Sequence, residues 1–226
     1  MRVFLCGQRY FGQETYELLK SLGCEIAGVS APPRHPDGSR DRLFARATGD
    51  GVRVVPGGLR ADDLPEGVDL IVAAHSWDFI SRRTRNRAAL GAIGFHPSLL
   101  PLHRGRDAVR WAIKMGERVT GGTVYWLTDN VDAGPVAAQD WCFIRPDDDA
   151  RSLWRRSLQP MGLRLLRQVI TDISNGLLVK IPQDESLATW EPSWERQPVP
   201  RPDLLMLGGE IPGYKVVAER GDGEAR

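Results

Sequence analysis

Along the first half of this chain, apolar residues arrive in short runs parted by glycine, proline and charge. Val3 to Cys6 is a β-favouring run that meets a turn at Gly7. Glu14 to Leu22 then places Tyr16, Leu18, Leu19 and Leu22 where a helix would gather them on one face. Ile26 to Ser30 reads as the next strand. Strand, helix and strand in that order open a parallel sheet, because parallel neighbours need a crossover element between them. Residues 31 to 40, APPRHPDGSR, are loop. Asp41 to Thr48 follows as a helix, Val52 to Val55 as a strand, and Asp69 to Ala74 as an apolar strand of the kind buried on both faces. Ala92 to Phe95 supplies another strand.

The second half changes character. A proline-bounded loop after Phe95 feeds a helix over Asp107 to Met115, and Thr120 to Leu127 and Val136 to Phe143 are strand-like around the loop TDNVDAG. From Asp149 to Ser174 the spacing of Leu153, Trp154, Leu158, Met161, Leu165, Val169 and Ile173 is helical, with Pro160 expected to kink or split the run. From Ile181 onward the chain is proline-rich and reads as an extended arm. The expected fold is α/β: a Rossmann-like doubly wound, mostly parallel sheet with helices on both faces, plus the extended C-terminal arm. Residues 1–180 form the expected catalytic domain, and 181–226 an arm that is not an independent domain.

Length and charge narrow the classes. The chain has 226 residues, enough for one main core. Thirty basic against twenty-nine acidic residues leave a formal charge of +1, which offers no general attraction for nucleic acid or an anionic membrane. Cys6, Cys24 and Cys142 are odd in number and show no metal-ligand spacing, so no metal is expected and a reducing, cytoplasmic setting fits. No apolar run approaches about 18 residues, and MRVFLCGQRYFG is too short in its apolar part for a signal peptide.

In doubly wound sheets, ligands bind beyond the carboxyl ends of the strands. His96 ends a strand there, and Asp132 sits in a turn between two strands 36 residues later. Taken singly, such a histidine is commonly structural and such an aspartate a turn former. Their surroundings say more. GAIGFHPSLLPLHRGRDAVRWAI followed by TGGTVYWLTDNVDAGPVAAQ resembles the formyltransferases that take a one-carbon unit from 10-formyltetrahydrofolate to an amine. That family's signature is a strand ending in Asn-x-His, then Pro-Ser-Leu-Leu-Pro, then an Asp-Ala/Thr-Gly turn; His96, Pro97 to Pro101 and Asp132-Ala133-Gly134 match it. The likeness extends to MRVFLCGQRYFG, DLIVAAHSWDFI and IPQDESLATW, and so over roughly residues 1 to 195.

The resemblance implies that His96 stabilises the oxyanion of the tetrahedral intermediate while Asp132 favours the charged imidazole and relays the amine's proton. One position departs from the pattern: Gly94 stands where the family carries asparagine, and loss of one oxyanion donor typically costs on the order of a hundred- to a thousand-fold in rate. Asn130, His75 or a backbone N–H are candidate replacements. By the same resemblance, Trp77, Asp78, Phe79 and Ile80 form one side of a reduced-folate slot, with Ser98, Val131 and the backbone around Asp129 on the other. Read without it, Trp77 and Phe79 simply cap the sheet.

The expected partners are reduced folate and a small amine acceptor. The Gly-Ser/Asn-rich phosphate loop of the glycinamide ribonucleotide enzymes is missing from CGQRYFGQE, and the tRNA-directed enzymes carry a further nucleic-acid-binding domain. Tyr10, Phe11 and the loop Arg104-Gly105-Arg106 border the expected acceptor pocket, as in the sugar-nucleotide N-formyltransferases, although both arginines can equally be solvated loop charges. Arg82, Arg83, Arg85 and Arg87 read as a wet face. The leading expectation is N-formylation of an amino-sugar nucleotide. The alternatives are an amino or hydroxylamino acid in natural-product biosynthesis, hydrolysis of the formyl-folate, and a catalytically impaired folate-binding protein. A nicotinamide enzyme is disfavoured, because Gly7 and Gly12 do not make GxGxxG. The arm could serve dimer contacts or strap the domain's own surface.

Overall fold

The computed structural model describes residues 1–190. Seven strands form one sheet in the order β3-β2-β1-β4-β5-β6-β7. They are β1 (Arg2–Gly7), β2 (Glu25–Ser30), β3 (Val54–Val55), β4 (Leu70–Ala74), β5 (Ala92–His96), β6 (Val119–Trp126) and β7 (Val136–Phe143). The first five run parallel, and β6 and β7 are antiparallel additions at one edge. This is the expected α/β, mostly parallel class. The order reverses between β1 and β4, so the carboxyl ends of these strands and of β5 frame the crevice where such sheets place their chemistry.

Alternation along the central strands divides the core. Val3 and Leu5 of β1, with Leu70, Val72 and Ala74 of β4, point into a cluster completed by helices α1 (Arg9–Ser21), α2 (Arg42–Gly49) and α6 (Gln159–Ser174). Phe4, Cys6 and Ile71 point the other way and meet Val55, Leu59, Leu64, Val68, Ile80 and Ala88. That second face was expected to carry helices; its cover is mostly irregular chain, with a 3₁₀ turn at Ala61–Asp63 and the single-turn α3 (Arg82–Arg85). Burial of Cys6 there pushes its thiol well above the ordinary range, as befits a small core hydrophobe.

One helix start differs from expectation, and the break expected in the last helical run is present. Helix α1 begins at Arg9, because its buried face already starts with Phe11 and Gly12, ahead of the apolar spacing read from Glu14. The expected 149–174 helix is divided into α5 (Ala150–Leu153), a π-helical stretch (Trp154–Leu158) and α6, with Pro160 in the first turn of α6, where a missing N–H costs least. Close approach explains Gly162 on α6: a Cβ there would fall 2.8 Å from Phe11 and 2.9 Å from Phe95. The short α4 spans Ala108–Lys114.

The stretch from Ile181, expected to begin an extended arm, is fastened to the body as far as it is described. Ile181 pairs with Val136 on the edge strand, and Thr189 exchanges backbone hydrogen bonds with Arg104 and Pro101. A domain end at 180 therefore cuts through hydrogen-bonded structure. Most of the expected arm, and any dimer contact through it, lies outside the described residues.

Asp41 ties the loop of residues 31–40 to the sheet's central turn. Its carboxylate is fully buried and accepts from the N–H of Phe44 at 2.9 Å, as the N-cap of α2, and from the N–H of Arg9 at 2.6 Å. His35 Nε2 lies 2.9 Å away. Replacing Asp41 by alanine strands these donors; we expect a loss of about 3 kcal/mol of unfolding free energy, read from urea denaturation.

Candidate active site

His96 leaves the carboxyl end of β5 and is buried. Its Nε2 lies 2.7 Å from the carbonyl oxygen of His103. A carbonyl can only accept, so Nε2 carries a proton and Nδ1 is the nitrogen left for chemistry. Asp132 Oδ2 faces Nδ1 at 3.5 Å. The chain brings these two residues together through β6 and β7, whose connecting turn hangs over the end of β5. Tyr125 on β6 donates its hydroxyl to Asp132 Oδ1 at 2.5 Å, and the N–H of Gly105 donates to Oδ2 at 2.7 Å. Burial, reinforced by the Asp132 charge, drives the Tyr125 phenol well above its ordinary pKa, so it remains a donor.

Asp132 adopts a left-handed backbone, φ 52°, a conformation that needs support in any residue but glycine. Gln183 supplies that support by donating Nε2 to the carbonyl oxygens of Asp132 at 2.8 Å and Gly134 at 2.7 Å. Gln183 is steadied in turn by Arg104, which donates to its Oε1 and forms a bidentate pair with Glu185 at 2.7 Å on both oxygens. The Arg104 guanidinium holds the Glu185 carboxyl below its usual range. His103, whose carbonyl faces His96, donates its backbone N–H to the Thr189 hydroxyl oxygen at 2.7 Å.

Beside the pair opens a cleft of about 970 Å³. Trp77, Phe79, Ile80, Leu127 and Val131 make an apolar wall; Trp77 is 73% and Phe79 68% exposed, an unusual cost for large aromatics unless something flat covers them. The back is closed by Phe11, Phe95 and Trp154, with Phe11 at 5.3 Å from each of the other two rings. Arg106, Arg110 and Arg151 line the same cleft, and Arg106 lies over the Trp77 ring at 5.6 Å.

Of the residues expected here, His96, Asp132, Gly94, Trp77, Asp78, Phe79, Ile80, Val131, Phe11, Gly105 and Arg106 all line the cleft. Four others do not. Ser98 is fully buried and donates to the Leu102 carbonyl, so it shapes the proline loop. Arg104 spends its guanidinium on Glu185 and Gln183. Asp129 is engaged by Arg82 and Arg85, which hold its carboxyl below the usual range, while Thr128 and Asn130 on either side of it face the cleft. Tyr10 stacks against Arg42 instead. Asp78 turns its carboxylate to Ser30 and the N–H of Gly58, which fixes the aromatic loop. Arg85, read as part of a wet face, is buried and also caps the Ile80 carbonyl. Tyr125, Trp154, Gln183 and Trp190 were not singled out as site residues; for Gln183 and Trp190 the signal was the IPQDESLATW match itself.

Residues 60–170 match the family model described as formyl transferase. Over 202 residues the chain is 36% identical to the cytosolic 10-formyltetrahydrofolate dehydrogenase of Mus musculus, covering 84% of this chain and 22% of that protein. It thus spans about a fifth of the length of that relative. Methionyl-tRNA formyltransferase of Ruminiclostridium cellulolyticum is 29% identical over 203 residues, covering 85% of this chain and 65% of the relative. A solved N-formyltransferase from Helicobacter canadensis, in complex with folinic acid and dTDP-3-aminofucose, superposes with a TM-score of 0.71 at 16% identity, over 86% of this chain and 72% of that one; at such identity it speaks for the fold. The matched segment carries the histidine, the proline loop and the aspartate turn in one cleft, and over residues 60–170 the chain is a formyl transferase domain.

Proposed function

We propose that this protein transfers the formyl group of 10-formyltetrahydrofolate to the amine of a small acceptor, with His96 and Asp132 as the working pair. The observation that carries the reading is their 3.5 Å approach on the wall of a cleft whose other wall is exposed aromatic surface. Trp77, Phe79, Ile80 and Val131 suit a flat, largely apolar pterin, and Thr128 and Asn130 bring backbone groups to its edge. No metal is assigned a role.

The reaction asks four things of the protein: to orient an amine toward the formyl carbon, to stabilise the oxyanion, to remove the amine's proton, and to return one to the departing folate nitrogen. His96 Nδ1 offers its N–H to the oxyanion when the ring is charged, with Asp132 Oδ2 facing that nitrogen at 3.5 Å. Asp132 accepts the amine's proton directly or through water; a carboxylate presents about four lone-pair sites, so its bonds to Tyr125 and Gly105 leave acceptor capacity. His96 then protonates the leaving nitrogen. Neither residue forms a covalent bond to the formyl group.

For the acceptor we favour an amino-sugar nucleotide. Arg106, Arg110 and Arg151 give the cleft a cationic wall suited to a diphosphate, and the Helicobacter canadensis structure pairs this fold with such a ligand. The setting implied is the cytoplasm, where reduced folates meet small amines and where Cys6, Cys24 and Cys142 remain thiols. A second reading, release of the formyl group to water, is favoured by one observation: Arg104, expected to serve the acceptor, is already occupied.

Incubation with 10-formyltetrahydrofolate and a panel of amines decides between them. A formylated amino-sugar nucleotide supports the lead, formate released equally with and without amine supports hydrolysis, and neither product removes both. His96→Ala and Asp132→Asn are each expected to lower kcat by about 10²- to 10⁴-fold while folinic acid still binds within a few-fold of the parent. Trp77→Ala is expected to weaken folinic acid binding by about tenfold, measured by calorimetry, because the flat contact and not the chemistry is removed.

A further inference from the structure

Gly94 and Tyr125 stand directly opposite each other in the β5–β6 ladder, so their side-chain positions share one face of the sheet. A Cβ at position 94 would lie 3.4 Å from Tyr125 Cε1, 3.6 Å from its Cζ and 3.0 Å from Leu127 Cδ1. The phenol ring and Leu127 therefore occupy the space into which a longer side chain at 94 would grow. With glycine there, the ring lies against β5, and its hydroxyl reaches Asp132 seven residues further along the chain.

From this arrangement we infer that Tyr125 is a positioning residue of the reaction: it fills the space left open at Gly94 and locks the Asp132 carboxylate in the orientation that faces His96. The carboxylate is held at two points. Oδ1 takes the Tyr125 hydroxyl; Oδ2 takes the Gly105 N–H and is the oxygen 3.5 Å from His96 Nδ1. With one hold released, the group can turn about its Cβ–Cγ bond and carry Oδ2 away from the imidazole. Tyr125 is 8% exposed and its phenol stays protonated under burial, so water offers little competition for this bond.

The same geometry accounts for the departure at position 94. Where the family's asparagine would stand, the chain instead sets a phenol whose hydroxyl donates to the Asp132 carboxylate. His96 then carries the oxyanion, and the site depends more heavily on the alignment of its acid–base pair. An asparagine at 94 and a tyrosine hydroxyl on Asp132 compete for one space.

The inference rests on the formyl-transfer reading, and the test separates the two. Tyr125→Phe keeps the ring and deletes the donor. Wild type, Tyr125→Phe and Gly94→Asn are compared for kcat and for KM toward 10-formyltetrahydrofolate, and by NMR for hydrogen exchange of the Gly105 amide, which reports the grip of Asp132 without any turnover. We expect Tyr125→Phe to lower kcat by about ten- to a hundred-fold with KM within about twofold, and to speed Gly105 exchange several-fold. Gly94→Asn, by pressing on the phenol, is expected to change both quantities in the same direction. An unchanged kcat in Tyr125→Phe overturns the inference, as does a fall in kcat with Gly105 exchange unaltered, which would assign the phenol to the reacting groups themselves. A Gly94→Asn protein faster than wild type overturns it too. Absence of turnover in the wild type removes the formyl-transfer reading, while Gly105 exchange still decides whether Tyr125 holds Asp132.

Discussion

The chemistry proposed for this molecule turns on one strained backbone position. Asp132 can aim its carboxylate at the end of β5 only from a left-handed conformation, and an aspartate stays there only when its surroundings over-determine it. The protein does so from three directions: Gln183 holds the carbonyl, Gly105 one carboxylate oxygen and Tyr125 the other. These come from the segment after the long helix, from the loop after the histidine, and from the antiparallel strand beside it. The functional turn is thus the place where three otherwise separate pieces of chain are made to agree.

Most of the sheet was legible because its signals are local. Runs such as Leu70–Ala74 and Ala92–Phe95 are apolar on both faces, and the alternation of Val3 and Leu5 against Phe4 and Cys6 serves two clusters at once. The start of α1 was missed because Gly12 interrupts the apolar spacing while belonging to the buried face. The cover of the second face was legible only in outline, because irregular chain and a one-turn helix bury Leu59, Leu64 and Val68 without helical periodicity. Strand order could not be read at all; it follows from contacts between residues far apart in sequence.

The site divides along the same line. His96, Asp132 and the aromatic loop were readable because the words around them resemble the formyltransferase signature; taken singly, each reads as structural. Ser98, Arg104 and Asp129 stand beside those patterns, but their side chains turn to internal partners: a carbonyl, a carboxylate with an amide, and two guanidiniums. No spacing rule distinguishes an arginine that awaits a ligand from one already paired. Tyr125 escaped notice for the complementary reason, since its hydroxyl acquires meaning only beside an empty position on the neighbouring strand.

The lacing of residues 183–190 onto the proline loop separates two properties that usually travel together. Gln183, Glu185 and Thr189 hold the Asp132 turn and the histidine's loop to each other, yet none of them belongs to the apolar clusters that keep the sheet folded. Gentle warming or a protease nick in that short strap would disarm the molecule while its core remained intact, so durability of the enzyme and durability of the fold are set by different bonds.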